Sequence, residues 1–92
     1  MATPQIPDRL RRYAASHHGD ALVDRLEMLA AEGIHDGQDV ERVLTAIVLV
    51  AGEDGGRLED AIALARADWR DVLVSAGLAD EDWPAQLDRL LG

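Results

Sequence analysis

The 92-residue sequence has no cysteine, no phenylalanine and no lysine. Without cysteine the chain can form neither disulfides nor thiolate metal sites. The only aromatic residues are Tyr13, Trp69 and Trp83, so the core must be built from Leu, Val, Ile and Ala. The longest apolar run, residues 46–52, is far shorter than the roughly 20 residues that a membrane span needs. No N-terminal run is both basic and apolar, so we expect a soluble cytoplasmic protein without a signal peptide.

Acidic residues outnumber basic residues by 18 to 9, which gives a formal net charge of −9. This charge argues against binding to nucleic acid or to an anionic membrane, because both need a positive field. Residues 1–46 carry eight acids and five Arg, a charge of −3, and residues 47–92 carry ten acids and four Arg, a charge of −6. The excess in the second half either serves solubility or forms a dedicated acidic binding face.

Apolar residues recur at helical spacing, and the segments that contain them are separated by Gly, Pro and acidic residues. The pattern predicts an all-α protein, a compact bundle of about five helices. The predicted helices cover residues 8–18, 20–32, 37–51, 57–76 and 82–91. Residues 1–6 are expected to be a short, loosely ordered tail, and residues 7–92 a single helical domain.

The third predicted helix contains the segment VERVLTAIVLVA, residues Val40–Ala51, which is apolar on nearly every side. Such a helix must be covered on most sides, so it is either the central helix of the bundle or half of a subunit interface. Asp36 is expected to cap this helix, with Asp39 three residues later completing a capping box. Gly33 and Gly77 each precede an apolar residue, a pattern that is typical of left-handed helix ends.

The sequence predicts different environments for the two tryptophans. Trp69 lies centrally on the widest apolar stripe of the chain, in the fourth predicted helix, so we expect it to be buried. Trp83 follows three acidic residues and precedes a proline. It either anchors the last helix to the bundle or acts as an interface hot spot, because Trp is enriched at such places.

A few apolar residues, Met28 among them, lie outside the main stripes of their helices, which indicates a second buried face. The candidate interface residues are Leu49, Leu64, Val74 and Trp83. This face would pack either on the last helix or on another chain. A symmetric dimer covers such a face economically, because one patch serves both partners. We therefore predict a homodimer, and the competing outcome is a monomer in which the last helix covers these residues.

The sequence offers few residues for catalysis or metal binding. His17 and His18 point in different directions on a helix, so they cannot chelate a metal as a pair or serve Ser16 as a base. We expect His17 to pack in the core and His18 to lie near a helix end. A site made of His18, Asp20 and His35 would lack the spacing of known zinc sites. The sequence therefore predicts no metal, no cofactor and no enzyme activity.

Two classes of function remain. The first is a non-enzymatic protein–protein interaction domain or small oligomeric accessory protein, because apolar residues are in surplus and chemically reactive residues are scarce. The second is an acidic inhibitor, such as an immunity protein or a nucleic-acid mimic, that covers a basic site on a partner enzyme. The expected partner is another protein or a second copy of the chain, and neither nucleic acid nor a membrane is expected.

Overall fold

The computed structural model describes residues 6–52 and 56–92, and these form six α-helices and no strand. The predicted all-α bundle is therefore confirmed. The helices are α1 (Asp8–His18), α2 (Asp20–Glu32), α3 (Val40–Ala51), α4 (Leu58–Ala67), α5 (Trp69–Ala76) and α6 (Trp83–Leu91). Among the described residues, no helix has the length and apolar character of a membrane span.

Helix α3 is the central helix of the bundle and contacts each of the other five described helices, most extensively α4 and α5. Its buried side chains surround the helix axis. They are Val43, Leu44, Thr45, Ala46, Ile47, Val48 and Ala51. Of the two interpretations of this apolar segment, the structure shows the central helix.

The predicted cap of α3 is wrong by one turn. Asp36 has a φ of 50° and Gly37 a φ of 80°, so both residues lie in a left-handed turn that cannot open a right-handed helix. Asp39 is the N-cap, and its Oδ1 accepts a hydrogen bond from the Arg42 N–H at 3.0 Å. The helix therefore begins at Val40 and not at position 37.

The predicted helix at 57–76 is two helices, because the chain is extended at Asp68, with φ −162° and ψ 112°. The Asp68 N–H still donates to the Leu64 carbonyl at 2.9 Å, which closes α4. Its carboxylate accepts the Arg70 N–H at 3.0 Å, which opens α5. Asp competes in this way with the helical hydrogen-bond ladder. One residue thus ends the first helix and caps the second.

Two helices end with a left-handed glycine, as the sequence predicts. Gly33 has a φ of 78° and Gly77 a φ of 77°. The residues that follow, Ile34 and Leu78, are both buried. The Leu78 N–H donates to the Leu73 carbonyl at 2.9 Å, which satisfies a carbonyl that the end of α5 would otherwise leave open. Each glycine thus reverses the chain direction at the helix end and lets the next apolar side chain pack in the core.

The predicted N-terminal tail is too long by one residue. Ile6 is only 2% exposed and belongs to the hydrophobic core, although α1 begins only at Asp8. Residues 1–5 lie outside the described residues. The predicted connection at 52–56 includes residues 53–55, which also lie outside them.

The buried apolar side chains of the described residues are all aliphatic. The three aromatic residues are all described, and each is only partly buried and packs against the edge of the core. The expectation that Trp69 is buried is therefore wrong. The break at Asp68 places Trp69 at the first position of a new helix, at the edge of the bundle and not in the middle of a long buried stripe.

Thr45 is fully buried in α3, and its Oγ1 has no hydrogen-bond partner among the described residues. We expect Thr45→Val to stabilise the protein by about 1 to 2 kcal/mol, because Val has nearly the same shape and removes an unsatisfied buried hydroxyl. Thermal unfolding followed by far-ultraviolet circular dichroism measures the change. A lower melting temperature for the variant would show that the hydroxyl is hydrogen-bonded in solution.

Candidate functional site

Arg42 connects the middle of the fold to its C-terminal part. Its Nε donates to the Leu78 carbonyl at 2.9 Å. Its guanidinium carbon lies 4.8 Å from the centre of the Trp83 ring, a distance at which a cation and an aromatic face attract one another. Arg42 thereby links α3 to the turn before α6 and covers one face of Trp83, the first residue of α6.

Arg42 also borders a shallow depression of about 360 Å³ on the side of α5. The depression is lined by Arg42, Trp69, Arg70, Leu73, Val74 and Ala79. Since Arg42 touches the Trp83 ring as well, both tryptophans of the chain lie around one arginine. We refer to the surface formed by Arg42, Trp69, Val74, Ala79 and Trp83 as the tryptophan face.

A second depression, of about 570 Å³, adjoins the first on the other side of Trp69 and Arg70. Its lining is more polar and includes the end of α2, where Arg66 and Glu32 form an ion pair at 2.7 Å. The Arg70 guanidinium lies 5.7 Å from the centre of the Trp69 ring. Trp69 and Arg70 therefore form a ridge between the two concave regions.

Three large apolar side chains are exposed within the part of the chain that the structure describes. They are Val74 at 67%, Met28 at 60% and Leu90 at 39% of full exposure. Val74 is the only one of the three that lines either of these two depressions. An exposed apolar residue beside two partly exposed tryptophans makes the tryptophan face the most apolar surface feature around these depressions.

The structure brings together two of the four predicted interface residues. Val74 and Trp83 both adjoin Arg42. Leu49 and Leu64 are partly buried, pack against the core and line neither depression. The structure places two of these residues on the tryptophan face and two at the edge of the core. Their assignment to an interface stays a prediction.

Several acidic residues lie close in sequence to the residues of the tryptophan face. Residues 68–82 contain five acids and one Arg, a net charge of −4. Asp80, Glu81 and Asp82 directly follow Ala79 and are all exposed. Asp71 is exposed on α5, three residues before Val74, so the two side chains are neighbours on the helix surface. This surface therefore combines apolar side chains with the guanidinium groups of Arg42 and Arg70, and exposed acids lie close to it in sequence.

Several glutamates elsewhere are neutralised by arginines. Arg9 binds Glu41 with two hydrogen bonds, of 2.8 and 2.7 Å, and also bonds Asp88. These bonds to Glu41 and Asp88 raise the pKa of Arg9 above its ordinary value and connect α1 to α3 and α6. Three further pairs are Arg11–Glu27, Arg25–Glu59 and Arg66–Glu32. On the same helices, Asp20, Asp24 and Asp60 are exposed and form no ion pair within the described residues.

The histidines do not form a site. His17 is exposed and not in the core as expected, because its ring turns outward, stacks on Tyr13 at 4.1 Å and places Nδ1 2.9 Å from the Tyr13 carbonyl. His18 lies in the last turn of α1, near the helix end, where it was expected. His35 has a buried Nδ1 without a hydrogen-bond partner in the described ranges. No group of three or more His, Asp or Glu among the described residues could hold a metal ion.

Asp68 provides a test of the break between α4 and α5. Its carboxylate accepts hydrogen bonds from the Arg70 side chain, at 3.1 and 3.3 Å, and from the Arg70 N–H. These bonds hold the pKa of Asp68 below its ordinary value of 3.8. A lowered pKa contributes stability that is fully present above pH 3.8 and is lost as the pH falls through the folded-state pKa.

We therefore expect Asp68→Asn to be less stable than wild type at neutral pH and to lose less stability in acid. Asn keeps the ability to cap α5 but cannot bear the charge. The measurement is the urea midpoint between pH ~7 and pH ~3 for both proteins. Parallel curves would show that Asp68 is not coupled to folding.

Comparison with known proteins identifies no relative: no family model matches the chain, and no curated protein or solved structure is significantly similar to it.

Proposed function

We propose that this chain is a non-enzymatic protein-binding domain and that the tryptophan face is its binding surface. The proposal rests on one observation: the core is filled by aliphatic side chains, while both tryptophans remain partly exposed around Arg42. Trp and Arg are the residue types that most often dominate binding energy at protein interfaces. A large ring that is left partly exposed gains its remaining burial when a partner covers it.

Val74 supports the same surface. It is more exposed than any other large apolar side chain of the described residues, and it lies beside Trp69 and Arg42 in the depression. An apolar contact area around a rigid aromatic ring is the usual arrangement at the centre of an interface, where the rim is polar. The acidic residues next to the face correspond to such a rim.

The second candidate is the acidic inhibitor, in which the charge itself is the main recognition element. The observation that favours it is the exposed run Asp80–Asp82 at the edge of the face. The two candidates differ in their response to salt. Binding through exposed charges weakens strongly as salt is raised, whereas binding through an apolar centre does not.

The experiment is a capture assay with the purified protein and an extract of its native cells, at low and at high salt. Val74→Asp places a charge in the centre of the face, and Met28→Asp is the matched control. Met28 is similarly exposed, 60% against 67% for Val74, but lies on α2. We expect a partner that Val74→Asp loses, that Met28→Asp keeps and that resists high salt.

Two outcomes oppose the proposal. If Val74→Asp captures the same partners as wild type, the binding surface lies elsewhere. If capture disappears at high salt for wild type, the acidic inhibitor is the better description. Circular dichroism of both variants confirms that they are folded, which is expected because substitutions at exposed positions usually change stability by no more than about 0.5 kcal/mol.

A further inference from the structure

We propose that the tryptophan face binds an amphipathic helix of a partner protein, with an apolar stripe bordered by Lys or Arg. This inference rests on the proposed function and specifies the chemistry of the partner. It follows from three properties: the apolar side chains of the face, the exposed acids next to it, and the absence of any strand within residues 6–52 and 56–92.

The apolar side chains of the face favour a partner that contacts them with apolar side chains of its own. Leu73, Val74 and Ala79 line the depression together with the Trp69 ring. The Trp83 ring lies 4.8 Å from the guanidinium carbon of Arg42, which also lines the depression. Apolar side chains three and four residues apart on one helix lie on one side of it, so a single helical stripe can contact the depression and the region of Trp83. Such helix-in-groove binding uses anchors at i, i+3, i+4 and i+7.

The backbone of the occupant must satisfy its own hydrogen bonds. An extended peptide binds most readily by adding a strand to an exposed sheet edge. Residues 6–52 and 56–92 contain no strand, so they offer no such edge. A helix brings its backbone N–H and C=O groups already paired. Only its side chains then need partners on the face.

The acidic residues next to the face favour a partner helix with basic residues on either side of its apolar stripe. Asp80 and Glu81 are exposed and form no ion pair within the described part of the chain. Asp71 is also exposed, on the same helix as Val74. Exposed acids without an ion pair also occur on other helices, as at Asp20, Asp24 and Asp60, but residues 68–82 alone carry a net charge of −4. Opposite charges across an interface speed encounter and exclude partners of the wrong sign.

The test uses a synthetic helical peptide with Leu at positions i, i+3, i+4 and i+7 and Lys at most other positions. Binding is measured by the emission of Trp69 and Trp83, which changes when a partner covers the rings. We expect saturable binding by wild type and by Met28→Asp. Val74→Asp is expected to weaken the affinity by about tenfold or more.

Whether Val74→Asp raises or lowers the affinity for the peptide distinguishes binding at the tryptophan face from simple charge attraction. The substitution makes an acidic protein more acidic, so charge attraction alone predicts equal or tighter binding of a basic peptide. The same holds for Met28→Asp, which adds the same charge at another site. Weaker binding by Val74→Asp alone therefore requires that the peptide covers Val74.

Control peptides test the two features of the partner separately. A peptide in which Glu replaces every Lys is expected not to bind, because the exposed acids next to the face repel it. A peptide of the same composition with its Leu residues scrambled is expected to bind at least about tenfold more weakly than the original, because it lacks an apolar stripe. Equal binding of the scrambled peptide, or tighter binding of a proline-rich peptide, would overturn the amphipathic helix.

The outcome also separates this inference from the proposed function. If the peptide does not bind while capture from extract still depends on Val74, the partner chemistry is wrong and the binding face stands. If neither depends on Val74, both are wrong. If light scattering shows a dimer that Val74→Asp splits, a second copy occupies the face and the inference is overturned. Should Val74→Asp unfold, Ala79→Asp replaces it, since Ala79 is also exposed.

Discussion

Leu44→Ala is expected to lower the free energy of unfolding by about 3 to 5 kcal/mol. Leu44 is fully buried in α3, and α3 contacts every other described helix. The cavity left by the missing atoms cannot be filled from one side, because it is surrounded by packed helices. The total stability of a small domain is about 5 to 15 kcal/mol, so this one change removes a large part of it.

Urea unfolding followed by circular dichroism measures the loss, and Leu90→Ala is the control. Leu90 is 39% exposed on α6, so its truncation is expected to cost no more than about 1 kcal/mol. Similar midpoints for the two variants would mean that α3 is not the central helix in solution.

Leu49→Asp is expected to destabilise the fold by about 2 to 4 kcal/mol, by placing a carboxylate against the edge of the core. Leu49 is partly buried and packs against the core. Val74→Asp introduces the same group at an exposed position and is expected to change stability by no more than about 0.5 kcal/mol. Thermal unfolding of both variants gives the comparison.

The same pair of variants bears on the predicted homodimer, which stays a prediction. Light scattering over a dilution series distinguishes a chain of 10.0 kDa from a particle of twice that mass. If wild type is a dimer and Leu49→Asp yields a folded monomer, Leu49 belongs to the interface. If Leu49→Asp unfolds the chain at every concentration, Leu49 belongs to the domain's own core.

The helical class and most helix ends could be predicted because they depend on neighbouring residues. The α2 and α5 ends at Gly33 and Gly77 follow from a left-handed glycine and the apolar residue after it. The break at Asp68 was missed, although the segment from Asp68 to Asp71 contains the residues of a capping box in which Asp replaces Glu. The apolar spacing continues through Asp68 without interruption, so periodicity alone favoured one long helix.

The start of α3 was misplaced for a related reason. Asp36 and Asp39 are both acceptable caps by residue type, and a single sequence does not reveal which one adopts left-handed dihedral angles. The adjacent Gly37 was the available signal, since glycine often accompanies a left-handed turn. Ile6 was assigned to the tail because a single apolar residue before α1 has no periodic partner in sequence.

The candidate site was predictable only in part. Val74 and Trp83 were identified because they fall outside the helical stripes or follow an acidic turn. Arg42 was not, because its contacts with Trp83 and with the Leu78 carbonyl join residues that are distant in sequence. No local pattern marks an arginine that will contact a tryptophan far along the sequence. Such a residue is identified only after the helices are packed.

The aliphatic core has a consequence for how this protein is observed. Its two indole rings are only partly buried and pack against the edge of the core, so their fluorescence reports chiefly on the environment of the surface where they lie. Ring currents reach only the methyl groups next to Tyr13, Trp69 and Trp83, so the proton signals of the other interior methyl groups should crowd into a narrow band. A shift in tryptophan emission without a change in ellipticity therefore indicates a change at the tryptophan face in a chain that stays folded.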